Sequence, residues 1–403
     1  MKVLVTDGDQ RSALALTRSL GRRGIQVIVG AEKDRSLAAS SKYCAGRLVY
    51  PSPFEHPKDF YQCIKAFVNA NNVDLIIPPT DVTIQVMAEH RSDLGQRVRV
   101  ALPDLEAWRF VSNKSKLLHW AKDNDVPIPK TYFIDKLDDV KSIRHELRYP
   151  VVVKPALSVI PTEGRWILTK VHFAQSEDEL IRLYEQKEYL RYPSVIQERI
   201  VGPGIGIFVL FDRGELVTIF GHRRLREKPP AGGVSCLRES IAVDPDLREH
   251  AIKLFKPLKW HGVAMMEYKQ DQKSGQPYLL EVNGRFWGSL QLAIDAGVDF
   301  PYLMYQLAMQ EHVAAPSPYN IGVKSRWLLG DLDHVLLRIF RKDRDLDLPE
   351  GFPSRARTLI QFLKFYEPGL YYEILSWTDP GPFAYELYEY LRRLFTRERV
   401  ARA

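Results

Sequence analysis

Short apolar segments alternate with amphipathic stretches through the first hundred residues. KVLV, QVIV, RLVY, DLII and VRV have the strand pattern, while residues 10–23 and 57–71 have helical periodicity. Strands that are apolar on both faces are typical of a parallel sheet covered by helices. The pattern predicts a doubly wound α/β domain over residues 1–112. Its first turn, TDGDQRSALALTRSLG, lacks the GxGxxG spacing of a dinucleotide site.

From residue 113 the pattern becomes one of strands and hairpins. A helix from residue 113 is stopped by VPIP, the strand YPVVVKPA ends at Lys154, and a helix is predicted over residues 176–188. GIGIFVLFDRGELVTIF predicts a hairpin that reverses at DRG, and HGVAMMEYKQDQKSGQPYLLEVNGR predicts a second one. These elements predict an α+β unit.

The end of the chain has the pattern of amphipathic helices, in LDHVLLRIFRK, SRARTLIQFLKF and YELYEYLRRLFTRERV. We therefore predict a mostly helical C-terminal extension over residues 316–403. The last helix carries five arginines, which could bind an anionic membrane surface. The favoured interpretation is that they lie on a solvated helix face. They are Arg392, Arg393, Arg397, Arg399 and Arg402.

Composition narrows the class of protein. The 403 residues are 45% hydrophobic and 27% charged, as in ordinary globular proteins, with a formal net charge of +7. This excess suits an anionic ligand but is too diffuse to indicate a nucleic-acid partner. MKVLVTDGDQ is too short in its apolar part for a secretory signal, and no apolar run could span a bilayer, so a cytoplasmic protein is predicted. Three scattered cysteines support neither a disulfide framework nor a zinc site.

Polar side chains alternate in the last strand of the second hairpin. In EVNGR, Glu281, Asn283 and Arg285 would share one strand face. Glu267 and Glu281 are equally far from Ser274 in the turn, so a symmetric register places the two carboxylates opposite each other, about 5 Å apart. Two carboxylates and an amide oxygen favour Mg²⁺ or Mn²⁺ over zinc. The alternative is a solvent-facing pair matched by lysines.

Cationic side chains occur on two other strands. His222, Arg224 and Arg226 alternate along one predicted strand and would form a basic ladder suited to a polyphosphate. Lys154 ends the run VVVK, where its ammonium could reach phosphate oxygens; a solvated strand-end lysine is the alternative.

The order of these parts, from the N-terminal α/β pattern to about residue 315, resembles the ATP-grasp superfamily. NK at 113–114 resembles the DK that opens its ATP domain, VVVKP supplies a second lysine, and QERIV at 197–201 resembles the hinge. The resemblance implies that Lys114 and Lys154 bind phosphate. It also implies an adenine contact from Glu198 and backbone contacts from Arg199 and Val201.

The same resemblance implies roles for the polar side chains of these strands. Glu267, Glu281 and Asn283 fall on the magnesium ligands, Arg285 on an arginine that steadies the transferred phosphoryl group, and Arg224 on the triphosphate strand. EVNGRFWGSLQLAIDAGVDFP is similar to the carbamoyl-phosphate-synthase-like branch of carboxylate-amine ligases. The sequence departs from the family in the glycine-poor loop 155–165 and at Ile205, where many members carry a ribose-binding acid.

The resemblance implies a pre-ATP-grasp Rossmann-like domain over 1–112, an ATP-grasp domain over 113–315 with subdomains 113–194 and 195–315, and the extension 316–403. It further implies an enzyme that uses ATP and Mg²⁺ (or Mn²⁺) to join a small-molecule carboxylate to an amine or a thiol through an acyl phosphate, releasing ADP and phosphate. An ATP-grasp small-molecule kinase and a non-catalytic nucleotide-binding protein are the alternatives.

The acceptor is expected at the carboxyl edge of the N-terminal sheet, where Thr80 and Asp81 follow DLIIPP. An acid at that position is equally typical of a helix N-cap. A homodimer is the default expectation for a soluble enzyme of this size.

Overall fold

The protein is described by a computed structural model that covers residues 1–94, 98–162, 165–314, 318–349 and 351–396. Three of the predicted terminal arginines, Arg397, Arg399 and Arg402, and the predicted boundary at residue 315 lie outside these ranges. Within them, no helix is both long enough and apolar enough to cross a membrane.

The N-terminal part is a five-stranded sheet with the order β3-β2-β1-β4-β5, in which every strand pairing is parallel, as predicted. The strands are β1 (Lys2–Val5), β2 (Gln26–Ala31), β3 (Cys44–Val49), β4 (Leu75–Ile77) and β5 (Arg99–Val100), and the helices are α1 (Arg11–Arg22), α2 (Pro57–Asn71), α3 (Asp81–Glu89) and α4 (Leu105–Ser112). After β3 the chain returns to the other side of β1. The carboxyl ends of β1 and β4 therefore flank the point where the winding direction reverses, which is where open α/β sheets bind ligands.

The next part is a four-stranded antiparallel sheet with the order β10-β7-β11-β6 and a separate two-stranded hairpin, β8-β9. Its elements are α5 (Lys114–Asp123), β6 (Thr131–Ile134), α6 (Leu137–Ile143), β7 (Val151–Pro155), β8 (Val159–Thr162), β9 (Arg165–Leu168), β10 (His172–Ala174), α7 (Glu177–Gln186) and β11 (Ser194–Glu198). Within the glycine-poor segment expected to be a loop over residues 155–165, residues 159–162 and 165 thus belong to the hairpin β8-β9.

A seven-stranded sheet follows, with the order β16-β15-β12-β13-β14-β17-β18. Its strands are β12 (Gly204–Asp212), β13 (Glu215–Lys228), β14 (Val234–Ile241), β15 (Gly262–Gln270), β16 (Pro277–Asn283), β17 (Lys324–Arg326) and β18 (Leu370–Tyr372). The helices are α8 (Pro245–Phe255), α9 (Leu290–Ala296), α10 (Phe300–Ala308), α11 (Leu328–Phe340), α12 (Arg355–Phe362) and α13 (Gly381–Phe395).

Both predicted hairpins are present. β12 and β13 are joined by Arg213 and Gly214, both with positive φ (49° and 93°), which suits the two-residue turn of a hairpin. β15 and β16 are joined through Asp271–Gly275, where the Asp271 side chain accepts hydrogen bonds from the backbone of Lys273 and Ser274.

The C-terminal segment is more than a set of helices. Its three predicted helices are found as α11, α12 and α13, but the short strands β17 and β18 extend the seven-stranded sheet. The segment then returns to the N-terminal helix α1, where the buried Arg18 binds Asp379 with Nε and Oδ2 2.8 Å apart. Three-residue strands carry too little periodicity to be recognised from the sequence.

The N-terminal sheet and the seven-stranded sheet share one apolar core. Leu4 and Ile76 from the first belong to the same buried cluster as Trp260 and Val282 from the second, and Trp108 at the end of the N-terminal part lies among them. This shared core holds the carboxyl edge of the N-terminal sheet against the end of β16.

Candidate functional site

A β-bulge brings the two glutamates of the second hairpin together. Next to the turn, Tyr268 pairs with Leu279, a register that would place Glu267 opposite Leu280. The register shifts by one residue between Glu267 and Tyr268, and Glu267 then pairs with Glu281. The predicted pairing is confirmed, but the assumed symmetric turn is wrong, because an irregularity in the ladder produces the pairing.

Each of these carboxylates binds a cation of the chain itself. Lys114 Nζ lies 3.1 Å from Glu281 Oε2, and Arg224 Nη2 lies 2.6 Å from Glu267 Oε2. Burial raises the pKa of Glu281, but the charges of Lys114 and Lys154 outweigh this and bring the pKa to about 2. Glu281 is therefore ionised at neutral pH, and the two glutamate side chains are partly buried, with 28% of Glu281 and 20% of Glu267 exposed.

Lys154 is buried, so the solvated strand-end lysine considered above is wrong. It lies on β7 with only 8% of its surface exposed, and burial lowers its pKa to about 8 despite the opposing charges of Glu281 and Glu267. Lys114, at the start of α5, also donates to Ser158 Oγ at 3.2 Å. The two predicted phosphate lysines thus approach the carboxylate pair from two different elements.

The alternating residues of β16 form one hydrogen-bonded row. Asn283 Nδ2 donates to Glu281 Oε1 at 3.2 Å, and Arg285 Nη2 donates to Asn283 Oδ1 at 2.9 Å. At the end of the row, Arg285 Nε lies 2.8 Å from Asp81 Oδ2. Burial lowers the pKa of Arg285, but Asp81 more than compensates and raises it above its ordinary value. The row therefore runs from the lysine of α5 to the carboxyl edge of the N-terminal sheet.

The intervening residues of the strand pack into the core. Val282 is 4% exposed, and a Cβ on Gly284 would lie 2.7 Å from Trp260 Cη2 and 2.9 Å from Trp108 Cδ1. Only glycine allows both indole rings to approach the strand so closely. The face of the strand opposite the polar row is thus packed against two tryptophan rings.

At the N-terminal edge, the interpretation of Asp81 as the helix N-cap is wrong. Thr80 is the N-cap of α3, with its side chain accepting from Thr83 N at 3.5 Å, while Asp81 faces Arg285. Asp7, at the carboxyl end of β1, was missed. Its Oδ2 accepts from Thr83 Oγ1 at 2.7 Å, and burial raises its pKa to about 6 although hydrogen bonds oppose the shift. Its position after β1, beside the point where the sheet reverses, was the available signal.

The predicted basic ladder does not form as a unit. The register shifts between Arg224 and Arg226, and Arg226 makes a two-bond ion pair with the buried Asp331, with both N–O distances 2.6 Å. His222 is 1% exposed, and burial followed by the nearby arginines lowers its pKa well below the ordinary value, so its imidazole is neutral. Of the three, only Arg224 joins the carboxylate pair.

Residues of the predicted hinge line a cavity of about 300 Å³ near the carboxylate pair. Arg199 and Val201 belong to its wall, together with Arg224, Lys269 and Phe352. The Arg199 guanidinium donates to the backbone carbonyl of Asp347 in the C-terminal segment.

Glu198 ends β11, and its backbone N–H donates to Lys130 O at 3.0 Å. Glu198 is not among the residues that line the cavity at the hinge, and its implied adenine contact stays a prediction.

A second cavity, of about 230 Å³, is lined by residues of the polar row. Lys114, Asn283 and Asp81 line it together with Trp108 and Trp166. The row thus borders this cavity, while Arg224, which binds Glu267, lines the cavity at the hinge.

The donor set fits Mg²⁺ only with further ligands from elsewhere. The described residues contain no group of three or more His, Cys, Asp or Glu side chains arranged to hold a metal ion. Glu267, Glu281 and Asn283 supply two carboxylates and one amide oxygen, which is the partial set that Mg²⁺ uses when phosphates and water complete its shell.

Residues 191–330 match the family model described as ATP-grasp in the biosynthetic pathway with Ter operon. This range includes the hinge, Arg224, the glutamate pair and Arg285. Over this part of its length the chain is similar to the ATP-grasp family.

Other ATP-grasp proteins match more of the chain at lower similarity. The carbamoyl phosphate synthase large chain of Methanobrevibacter smithii is 23% identical over 251 residues, covering 58% of this chain and 23% of its own length. The N-terminal section of the same enzyme from Methanopyrus kandleri is 26% identical over 248 residues, covering 58% and 41%. This chain therefore spans less than half the length of the curated relatives it matches.

Solved structures share the ATP-grasp fold. The biotin carboxylase domain of Hydrogenobacter thermophilus 2-oxoglutarate carboxylase, in complex with MgADP, ADP and bicarbonate, superposes with a TM-score of 0.63 at 18% identity, covering 80% of this chain and 73% of that one. The L-amino acid ligase of Bacillus licheniformis superposes with a TM-score of 0.58 at 18% identity, covering 78% and 74%. At these identities the likeness is one of fold.

Proposed function

We propose that this chain is an ADP-forming ligase that uses Mg-ATP to join a small-molecule carboxylate to an amine, or to a thiol, through an acyl phosphate. The observation that carries the proposal is the continuous polar row from Lys114 through Glu281, Asn283 and Arg285 to Asp81. It connects the lysine of α5 to the edge of the N-terminal sheet, and three of its residues, Lys114, Asn283 and Asp81, line the cavity of about 230 Å³.

The reaction has two steps. A substrate carboxylate oxygen attacks the γ-phosphorus of ATP, the bond to the β,γ-bridging oxygen breaks, and ADP leaves. The amine then attacks the acyl carbon, phosphate leaves, and the amine loses a proton. Bound Mg²⁺ would screen the charge of the phosphate oxygens.

The residues of the row take roles according to their positions. Glu267, Glu281 and Asn283 would hold the metal. Lys114 and Lys154 would bind phosphate oxygens, and Lys114 would exchange its contact with Glu281 for one of them. Arg285, held between Asn283 and Asp81, presents a planar guanidinium suited to the transferred phosphoryl group. Arg224 would bind the triphosphate from the hinge side.

The nucleotide would occupy the cavity at the hinge. Its wall contains Arg199 and Val201, whose backbone groups would contact an adenine edge, and Glu198 lies just before them in the chain. We propose the domain boundaries given above, 1–112, 113–315 and 316–403, as the units around this site. In this arrangement the C-terminal segment contributes Phe352 to the nucleotide cavity.

The acceptor carboxylate would occupy the cavity of about 230 Å³ beside the N-terminal sheet. Asp81 and Asn283 place its edge next to Arg285, and the Trp108 and Trp166 rings offer an apolar surface for the rest of the molecule. This size suits a molecule no larger than a small amino acid derivative, below the ordinary range for drug-sized ligands.

An ADP-release screen with pooled carboxylates, with and without pooled amines, tests the proposal. ADP release that requires both pools is the expected result. Release that requires a hydroxyl compound and no amine would assign a kinase instead, and nucleotide binding without ADP release under any pool would assign a non-catalytic protein.

A further inference from the structure

Helix α13 contacts the protein through a side of mixed polarity. Phe383 and Tyr385 pack against the apolar core, while Glu386 accepts a hydrogen bond from Trp327 Nε1 at 2.5 Å and Tyr390 Oη donates to Asp333 Oδ1 at 2.7 Å. The outward side is also apolar and aromatic: Tyr388 is 64% exposed and Phe395 84% exposed. A surface helix normally turns polar residues to solvent, so an exposed apolar side indicates a contact surface.

The exposed apolar side chains of α13 form one stripe. Leu387, Tyr388, Leu391 and Phe395 are spaced so that they lie along a single side of the helix. The described polar residues of the last two turns, among them the exposed Arg393, lie on other sides of the helix.

The neighbouring helices also carry exposed apolar side chains. α11 contacts α13 through Asp333 and contacts the start of α12 through Arg338, whose Nη2 donates to Pro353 O at 2.9 Å. We call the outer C-terminal face the exposed apolar side chains of these three helices: Ile339, Phe340, Leu359, Ile360, Leu363, Leu387, Tyr388, Leu391 and Phe395. More than half of the exposed large apolar side chains in the described residues lie between residues 339 and 395. Such a concentration marks an interaction surface.

The charges around this face select the kind of partner. Among the described residues of this segment, only two acidic side chains are fully exposed, Asp343 and Asp345. The exposed basic side chains are Arg341, Lys342, Arg355, Arg357, Lys364 and Arg393. Contact with a second copy of the same face would bring these cations together, which is unfavourable. An anionic surface would complement them.

We propose that the outer C-terminal face docks the protein onto an anionic lipid bilayer. Aromatic and aliphatic side chains flanked by lysine and arginine are the composition of helices that lie in the bilayer interface. In this arrangement Leu391 and Phe395 enter the boundary between headgroups and acyl chains, while Arg357 and Lys364 contact lipid phosphates. This surface is separate from the polar row, so the inference does not depend on the proposed ligase activity.

Vesicle flotation of the full chain tests the proposal. Two vesicle types are compared at low salt, phosphatidylcholine alone and phosphatidylcholine with about one-third phosphatidylglycerol. We expect roughly tenfold or greater preference for the anionic vesicles, declining as salt is added. The variant Tyr388→Gln/Leu391→Gln/Phe395→Gln should bind them at least about tenfold more weakly, because the buried apolar area is lost.

The matched control is Ile321→Gln, which changes an equally exposed apolar residue (63%) outside the face and should bind like the unaltered protein. Melting temperatures of all variants show whether the fold is retained; glutamine is a good helix former, so no change is expected. Absence of vesicle binding, or binding that is unaffected by the triple change, would overturn the proposal. A dimer in sedimentation equilibrium that dissociates in the triple variant, without vesicle binding, would assign the face to a second copy.

Discussion

Replacement of Glu281 by glutamine tests the charge arrangement at the centre of the site. The change keeps the shape of the side chain but removes the negative charge that Lys114 contacts at 3.1 Å and that also acts on Lys154. Two consequences are expected, one for stability without ligand and one for metal-dependent nucleotide binding.

The stability effect follows from the pKa. A fall in the pKa of Glu281 from 4.5 to about 2 corresponds to about 3 kcal/mol of favourable interaction for the charged form. Because 28% of the side chain is exposed, solvent screening reduces the expected loss in Glu281→Gln to about 1–2 kcal/mol at pH 7. The folded-state pKa lies below the ordinary one, so this stabilisation is present above pH 4.5 and is lost as the pH falls toward 2.

Urea unfolding at pH 7 and pH 4 measures this effect. The difference in unfolding free energy between the two proteins should be largest at pH 7 and smaller at pH 4. An equal difference at both pH values would show that Glu281 acts through packing alone.

The nucleotide effect is measured by thermal shift with Mg-ATP and with ATP plus excess EDTA. In the unaltered protein Mg-ATP should raise the melting temperature clearly more than ATP with EDTA, because a ligand that binds only the folded state stabilises it. In Glu281→Gln the two shifts should become similar. A full metal-dependent shift in the variant would refute the assignment of Glu281 as a metal ligand.

Three further changes test neighbouring parts of the account. Arg285→Lys keeps a charge but loses the planar guanidinium between Asn283 and Asp81. The rate of ADP release should therefore fall by roughly 10²-fold, while the ATP affinity measured by calorimetry should change little. Normal turnover would contradict the role proposed for Arg285. Lys154→Met keeps most of the side-chain volume and should weaken ATP binding about tenfold or more; unchanged affinity would remove Lys154 from the site. Gly284→Ala should destabilise the protein by about 1–3 kcal/mol, because the added methyl group would overlap two tryptophan rings. The control is Gly46→Ala, whose methyl group would make only an ordinary contact with Ile28 at 3.5 Å and should change the melting temperature little.

The sequence predicted the elements whose periodicity is long or whose turns are distinctive. The parallel strands of residues 1–100 and the hairpin through Arg213 and Gly214 are confirmed. β17 and β18 were missed because three residues show no periodicity, and their place in the sheet depends on partners far along the chain.

The site was predicted in part, for reasons that differ between residues. Alternation placed Glu281, Asn283 and Arg285 on one face, since this depends only on strand geometry. The same reasoning failed for His222 and Arg226, because a bulge after Arg224 interrupts the alternation. The contact of Asp81 with Arg285 joins residues about two hundred positions apart, and only the packing of the N-terminal sheet against β16 brings them together.

Transfer of an isotope label tests the central claim most directly. A carboxylate identified in the ADP-release screen would be labelled with ¹⁸O in both oxygens and incubated with Mg-ATP and its amine, and the released phosphate would be analysed by mass spectrometry. When an acyl phosphate is cleaved by the amine, one labelled carboxylate oxygen leaves as part of the phosphate. The account therefore predicts one ¹⁸O atom per inorganic phosphate, and much slower formation of labelled phosphate in Arg285→Lys. Inorganic phosphate without label, formed at the same rate as the product, would contradict the proposed chemistry.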